Sequence, residues 1–206
     1  KPPARSRTRP ATTGPIADTA PIRQVRAKIS RLWREPKNSS NSTVTATGDG
    51  SGGLIGSGGS GTLTNAYVLN VNVTGTNYVG GVVGSSSLTG SQVHKVGNVT
   101  ATGSRVGGAY GYIAGNQTDV DSIGSVTVTG SGLRVGGLAG EASGNITNAY
   151  ATGAVTASGS YEVGGLVGNY SSGAMTNVSS SGGNVTGTYN VGGLIGNASS
   201  INITTA

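Results

Sequence analysis

The chain has 206 residues, of which 39 are glycine and only 10% are charged, with no Cys, no Phe and a single Trp and Met. This composition excludes disulfides and thiolate metal sites, and it leaves Val, Ile, Leu, Ala and Tyr to supply the apolar area, which fits a thin repeated core better than a thick two-sheet sandwich. The net charge of +6 is uneven: residues 1–37 hold ten Lys and Arg against two acids, residues 38–206 three against five, so the basic character belongs to an N-terminal arm and the body carries no nucleic-acid signature.

Residues 1–21 contain five of the six prolines, three closely spaced arginines (Arg5, Arg7, Arg9) and almost nothing apolar larger than Ala, the composition of an extended basic arm. From 22 to 35, Ile22, Val25, Ile29, Leu32 and Trp33 recur at helical spacing with arginines opposite, which predicts one short amphipathic helix stopped by Pro36. A cap on the following array or a subunit contact is the favoured use of this helix, ahead of a basic membrane-surface element. Residues 36–43 read as a polar linker. No run of about 18 apolar residues occurs to suggest a membrane span.

From 44 to 206 one phrase organises everything. Variants of Val-Gly-Gly-Leu-Val-Gly place paired glycines at Gly52, Gly80, Gly107, Gly136, Gly164 and Gly192, separated by 28, 27, 29, 28 and 28 residues. Self-similarity at such a period marks a solenoid. Each repeat reads as three short strands: the glycine phrase, a Leu/Ile-Thr-Asn-Ala-Tyr segment, and a Val-Thr segment. The prediction is an all-β, triangular β-helix of about six coils, each adding about 4.8 Å. The recurring glycines predict a backbone that bends sharply or runs against the neighbouring coil. Gly107-Gly108-Ala109-Tyr110-Gly111 departs from the phrase, and a local distortion is expected there.

Residues 146–156 followed by Val163-Gly164-Gly165-Leu166-Val167-Gly168 resemble the GLUG repeat of bacterial surface proteins. That resemblance implies a β-solenoid of the kind found in adhesin-like proteins and in the non-catalytic parts of some immunoglobulin A1 peptidases. It covers roughly 44–206. The zinc-binding His-Glu-x-x-His motif of those peptidases is absent, so peptidase activity does not carry over.

No constellation for catalysis, cofactor or metal emerges. His94 is the lone histidine and has no ligand-spaced partner; Asp119 and Asp121 read as solvent-facing residues, and Gly48-Asp49-Gly50-Ser51-Gly52 as a turn. If Val71, Val99, Val126 and Val155 point inward, alternation sends Thr45/Thr47, Asn72/Thr74, Thr100/Thr102, Thr127/Thr129, Thr156/Ser158 and Asn184/Thr186 outward on one flat face. Such a Thr-x-Thr array resembles the ice-binding face of β-solenoid antifreeze proteins, although Asn and Ser interrupt it and Val-Thr alternation suits any one-sided strand.

Asn-x-Ser/Thr occurs at Asn38, Asn41, Asn72, Asn98, Asn116, Asn145, Asn169, Asn177, Asn184, Asn197 and Asn202, candidate glycosylation positions on a secreted protein. Asn65, Asn148 and Asn177 are expected to stack as an internal or corner side-chain ladder, coil upon coil. The array opens with the third strand of a coil, at Val44, and closes with the first two strands of another, near Ile201 and Ile203. The expected function is therefore a non-enzymatic extracellular subunit that joins head-to-tail into a filament, completing a mixed coil by strand addition, with the arm as connector. A monomeric surface adhesin or stalk that meets glycans or other cell-surface ligands is the alternative, and an ice-binding protein a further one.

Overall fold

The computed structural model describes residues 39–40 and 42–204. The arm at 1–21, the helix at 22–35 with Ile22, Val25, Ile29, Leu32 and Trp33, and the sequons at Asn38 and Asn41 lie outside the described residues.

The described residues form a β-solenoid of about six turns of about 28 residues, and every strand pairing is parallel. Three sheets run along it: one of 11 strands and two of six. The Val-Thr sheet collects Thr43–Thr45, Asn72–Gly75, Val99–Ala101, Val126–Val128, Val155–Thr156 and Val185–Thr186. The glycine sheet collects Ser51–Gly52, Val79–Gly80, Val106–Gly107, Leu133–Gly136, Tyr161–Gly164 and Tyr189–Gly192. The large sheet holds the remaining two sides of each coil. Its strands Ile55–Leu69 and Val83–Val96 run through in one piece, while later coils divide, as at Ala139–Ala142 and Ile146–Thr152.

The glycine phrase is therefore not one strand. It is the end of one strand, a corner at Gly-Leu, and the start of the next. A Cβ at Gly136 would fall under 3.0 Å from the Ala139 carbonyl and from Leu166 O, and a Cβ at Gly140 would meet the backbone of Arg105, Val106 and Arg134. The glycine sheet and the adjoining strands of the large sheet thus lie backbone against backbone, with no side chain between them. The middle glycine faces along the axis, since a Cβ at Gly137 would strike Gly165 O of the next coil. All three glycines of the phrase are required by close approach.

The corner residue after the paired glycines forms one inward column, in which Leu54 N bonds Val82 O, Val82 N bonds Ala109 O, Ala109 N bonds Leu138 O, Leu138 N bonds Leu166 O and Leu166 N bonds Leu194 O. Ala109 keeps its place in this column, so the departure at 107–111 brings no break in register. The volume lost at Ala109 is offset beside it by Tyr110, which pairs with Val83 and Ala139 and is 1% exposed. Another correction concerns the linker. Ser39–Ser40, expected in the linker, add a strand against Val68 and Leu69. Each of the two smaller sheets has six rungs; the described array opens on the Val-Thr strand Thr43–Thr45 and closes on Tyr189–Gly192, Ile195–Ala198 and Asn202–Thr204.

Two columns of non-glycine residues hold left-handed backbone, one residue per coil. The first is Asn65, Gln92, Asp119, Asn148 and Asn177, with φ between 51° and 55°. The second is Tyr78, Arg105, Arg134, Glu162 and Asn190, with φ between 49° and 69°. The ladder skips them: Thr147 pairs with Thr176 and Ala149 with Val178, but Asn148 lies outside the pairing.

Candidate binding face

The Val-Thr sheet brings the threonines together in a register that differs from the expected one. Val73, not Val71, pairs with Val99, and the column continues through Val126 and Val155 to Val185. Val71 is also buried, one step earlier, at the entrance to the strand. A slip of two residues keeps each side chain on its face, since side chains alternate with period two, and changes which residues share a column. The outward column next to these valines is Thr45, Thr74, Thr100, Thr127, Thr156 and Thr186, threonine in all six coils. Two residues further on stand Thr47, Thr76, Thr102, Thr129, Ser158 and Thr188. Asn72 and Asn184 drop out of the array, which removes two of the interruptions read from the sequence.

The second column is held to the coil before it. Thr76 Oγ1 donates to Thr47 O (3.1 Å), Thr129 Oγ1 to Ala101 O (3.5 Å), and Thr102 N to Gly75 O (3.3 Å). At Ala157 the chain turns, closed by Ser160 N on Ala157 O, and Thr188 Oγ1 donates to Ser158 O. Beneath this column sit Ala46, Gly75, Ala101, Val128, Ala157 and Gly187, small residues that keep the coil narrow. The five-residue segments 43–47, 72–76, 98–102, 125–129, 154–158 and 184–188 contain no charged and no aromatic residue. Thr127 is partly covered and the other first-column threonines are exposed.

Asparagines play a second role around this face. Asn72 Oδ1 accepts from Asn98 N (2.9 Å), and Asn98 Oδ1 accepts from Ser125 N (3.0 Å). Asn116 and Asn145 do the same at another corner, for Asn145 N and Ala174 N. These four are exposed, as are Asn184 and Asn202. Asn169 is 6% exposed, and Asn177 and Asn197 donate their amide nitrogens to Asn148 and Glu162. Burial and hydrogen bonding set these three apart from the exposed sequons. The expected asparagine ladder is present at Asn148 and Asn177 and extends to Asp119, whose Oδ1 accepts from Asn148 Nδ2 (3.0 Å); in the same column Gln92 and Asp119 stand between Asn65 and Asn148.

Titratable side chains are spent within and between coils. His94 Nδ1 lies 2.7 Å from Asp121 Oδ2, both nearly buried, and the imidazole stacks on Tyr67 at 5.0 Å. Asp121 is thus not the solvent-facing residue expected. Arg105 and Arg134 share Glu141 Oε2, Arg134 Nε reaches Glu162 Oε2 (3.1 Å), and the Arg105 guanidinium covers the Tyr78 ring at 4.9 Å. Lys95 occupies an interior column with Val68 and Ser122, where its amine donates to Gly97 O (2.6 Å) and burial pulls its pKa down to about 7. Neither this buried lysine nor the left-handed arginines had a signal in the sequence.

The last coil leaves apolar residues exposed on its other two sheets: Val191 (45%), Ile201 (39%) and Ile203 (45%). Val44 is half-buried against the core.

Residues 131–156 match the family model of the GLUG motif. The match spans one coil, from the strand Leu133–Gly136 round to Val155–Thr156. No curated protein and no solved structure matches the chain.

Proposed function

We propose that the chain is a non-enzymatic structural module of an extracellular or cell-surface protein: a stiff solenoid rod of the stalk type, whose length is set by the number of coils it stacks. The observation that carries this reading is where the polar side chains find their partners. His94 meets Asp121, Arg134 meets Glu162, Asn148 meets Asp119 and Asn177 meets Asn148, each from one coil to the next. Groups that a catalytic site would aim at a substrate are used here to lock coil on coil. The experiment is an in-frame second copy of residues 131–158. A stacking rod accepts it, folds with higher strand content and lengthens by about 4.8 Å. A chain whose coils act as one closed site loses its fold or its cooperativity, and that outcome overturns the reading.

Head-to-tail filament growth is the second reading, favoured by the uncovered apolar residues Val191, Ile201 and Ile203 of the last coil. A second copy adding its Thr43–Thr45 and Ile55–Leu69 strands there would join whole coil to whole coil by parallel pairing. Sedimentation over a wide concentration range decides: open-ended growth supports filaments, and an unchanging monomer refutes them.

A further inference from the structure

We propose that the Val-Thr sheet is an ice-binding face. The argument starts from the register. Pairing sets Thr45, Thr74, Thr100, Thr127, Thr156 and Thr186 in one straight column, one per coil. Neighbours along it are therefore about 4.8 Å apart, and the second column repeats once per coil just past the strand ends, at Thr47, Thr76, Thr102, Thr129, Ser158 and Thr188. This is an array of two ranks that repeats once per coil, displayed on a sheet whose strands are two to four residues long.

A ligand read by such a surface is itself periodic. The face also says what kind of solid. It carries no charge, so it offers nothing to an ionic crystal or an anionic lipid surface. It carries no aromatic ring, the platform on which apolar faces of other molecules are stacked. What it repeats is one hydroxyl and one methyl per cell. Hydroxyls join a network of water as donor and acceptor, and methyls restrict the orientation of the water beside them. The second-column oxygens do not need ordering on contact, because Thr76 and Thr129 already donate to carbonyls of the coil before. A rigid, uncharged hydroxyl-methyl array is complementary to ordered water, and ice is the crystal that presents it.

The molecule contains its own control. Thr64, Ser91, Thr118, Thr147, Thr176 and Thr204 form a second threonine column, on the large sheet. It has no second rank, and the left-handed column with Asp119 runs beside it. The test is thermal hysteresis, together with partition into a slowly growing ice hemisphere, on the full chain. Wild type and Thr118→Lys are expected to halt ice growth below the melting point and to enrich in ice. The double variant Thr100→Lys/Thr127→Lys is expected to lose both while keeping its far-UV spectrum and melting temperature. Wild type without hysteresis at high micromolar concentration overturns the proposal. So does equal hysteresis in the double variant and Thr118→Lys, which assigns the activity to another surface. Enrichment on crystalline polysaccharide without enrichment in ice overturns it in favour of a sugar lattice.

Discussion

The side-chain amide of Asn177 donates to Oδ1 of Asn148 at 2.8 Å, and both residues hold left-handed backbone at φ 51° and 52°. Asparagine supplies two things at once here, a tolerance for positive φ and a group that reaches the same atom one coil away. The two contributions separate by substitution. Asn148→Ala loses both and is expected to cost about 2 kcal/mol, while Asn148→Gly keeps the backbone and is expected to cost roughly half as much. Urea denaturation of the two variants checks the order, and Ala milder than Gly contradicts it.

The middle glycines predict a sharper contrast. A Cβ at Gly137 meets the backbone oxygen of Gly165, which has no rotamer through which to yield, whereas a Cβ at Gly59 meets nothing within 4 Å. Gly137→Ala is expected to destabilise by at least about 2 kcal/mol, and Gly59→Ala to change stability by less than about 0.5 kcal/mol. Their midpoints in a chemical denaturation series measure both.

Lys95 makes stability depend on pH. Its folded pKa, about 7, lies below the ordinary lysine value of 10.5, so between these values the unfolded chain binds the extra proton. Stability therefore rises with pH across this window, by at most about 1.4 kcal/mol per pH unit. Above pH 10 the trend reverses, because burial raises Tyr110 and lifts Tyr170 to about 12, and the unfolded chain then loses its phenolic protons first. The expected maximum in melting temperature is near pH 9 to 10. Lys95→Met keeps the aliphatic stem and is expected to raise stability at neutral pH and flatten the rise.

Two buried tyrosines predict opposite responses to loss of a hydroxyl. Tyr170 OH donates to Gly144 O at 2.6 Å, while the buried Tyr110 hydroxyl has no hydrogen-bond partner among the described residues. Tyr170→Phe is expected to cost about 1 kcal/mol, and Tyr110→Phe to be neutral or stabilising. Thermal melts of the pair decide it.

Period, sheet class and the asparagine ladder were legible because each rests on a local, repeated choice of residue. Asn65, Asn148 and Asn177 announce positive φ by their identity. Arg105, Arg134 and Glu162 adopt the same backbone without announcing it, in a chain of ion pairs in which Arg105 meets Glu141 and Arg134 meets Glu162 from one coil to the next, contacts that a single repeat does not contain. The valine register failed for a related reason. Val71 and Val73 are both buried, and only the pairing of Val73 with Val99 tells which of them stands in the column. One step of two residues exchanged Asn72 for Thr76 on the outer face. A single repeat contains no information that separates these registers; the neighbouring coil does.

The seam of glycines also bears on how such a chain changes over generations. Where Gly136 and Gly140 let backbone meet backbone, the contact contains no side chain that one coil offers and another lacks. Any coil with the phrase is interchangeable with any other at that seam. Individual identity resides in the side-chain ladders away from the seam, such as Tyr67, His94 and Asp121. A gene built on this plan gains or sheds a coil in one step, keeps its fold, and leaves the ladders to be repaired afterwards by point substitution.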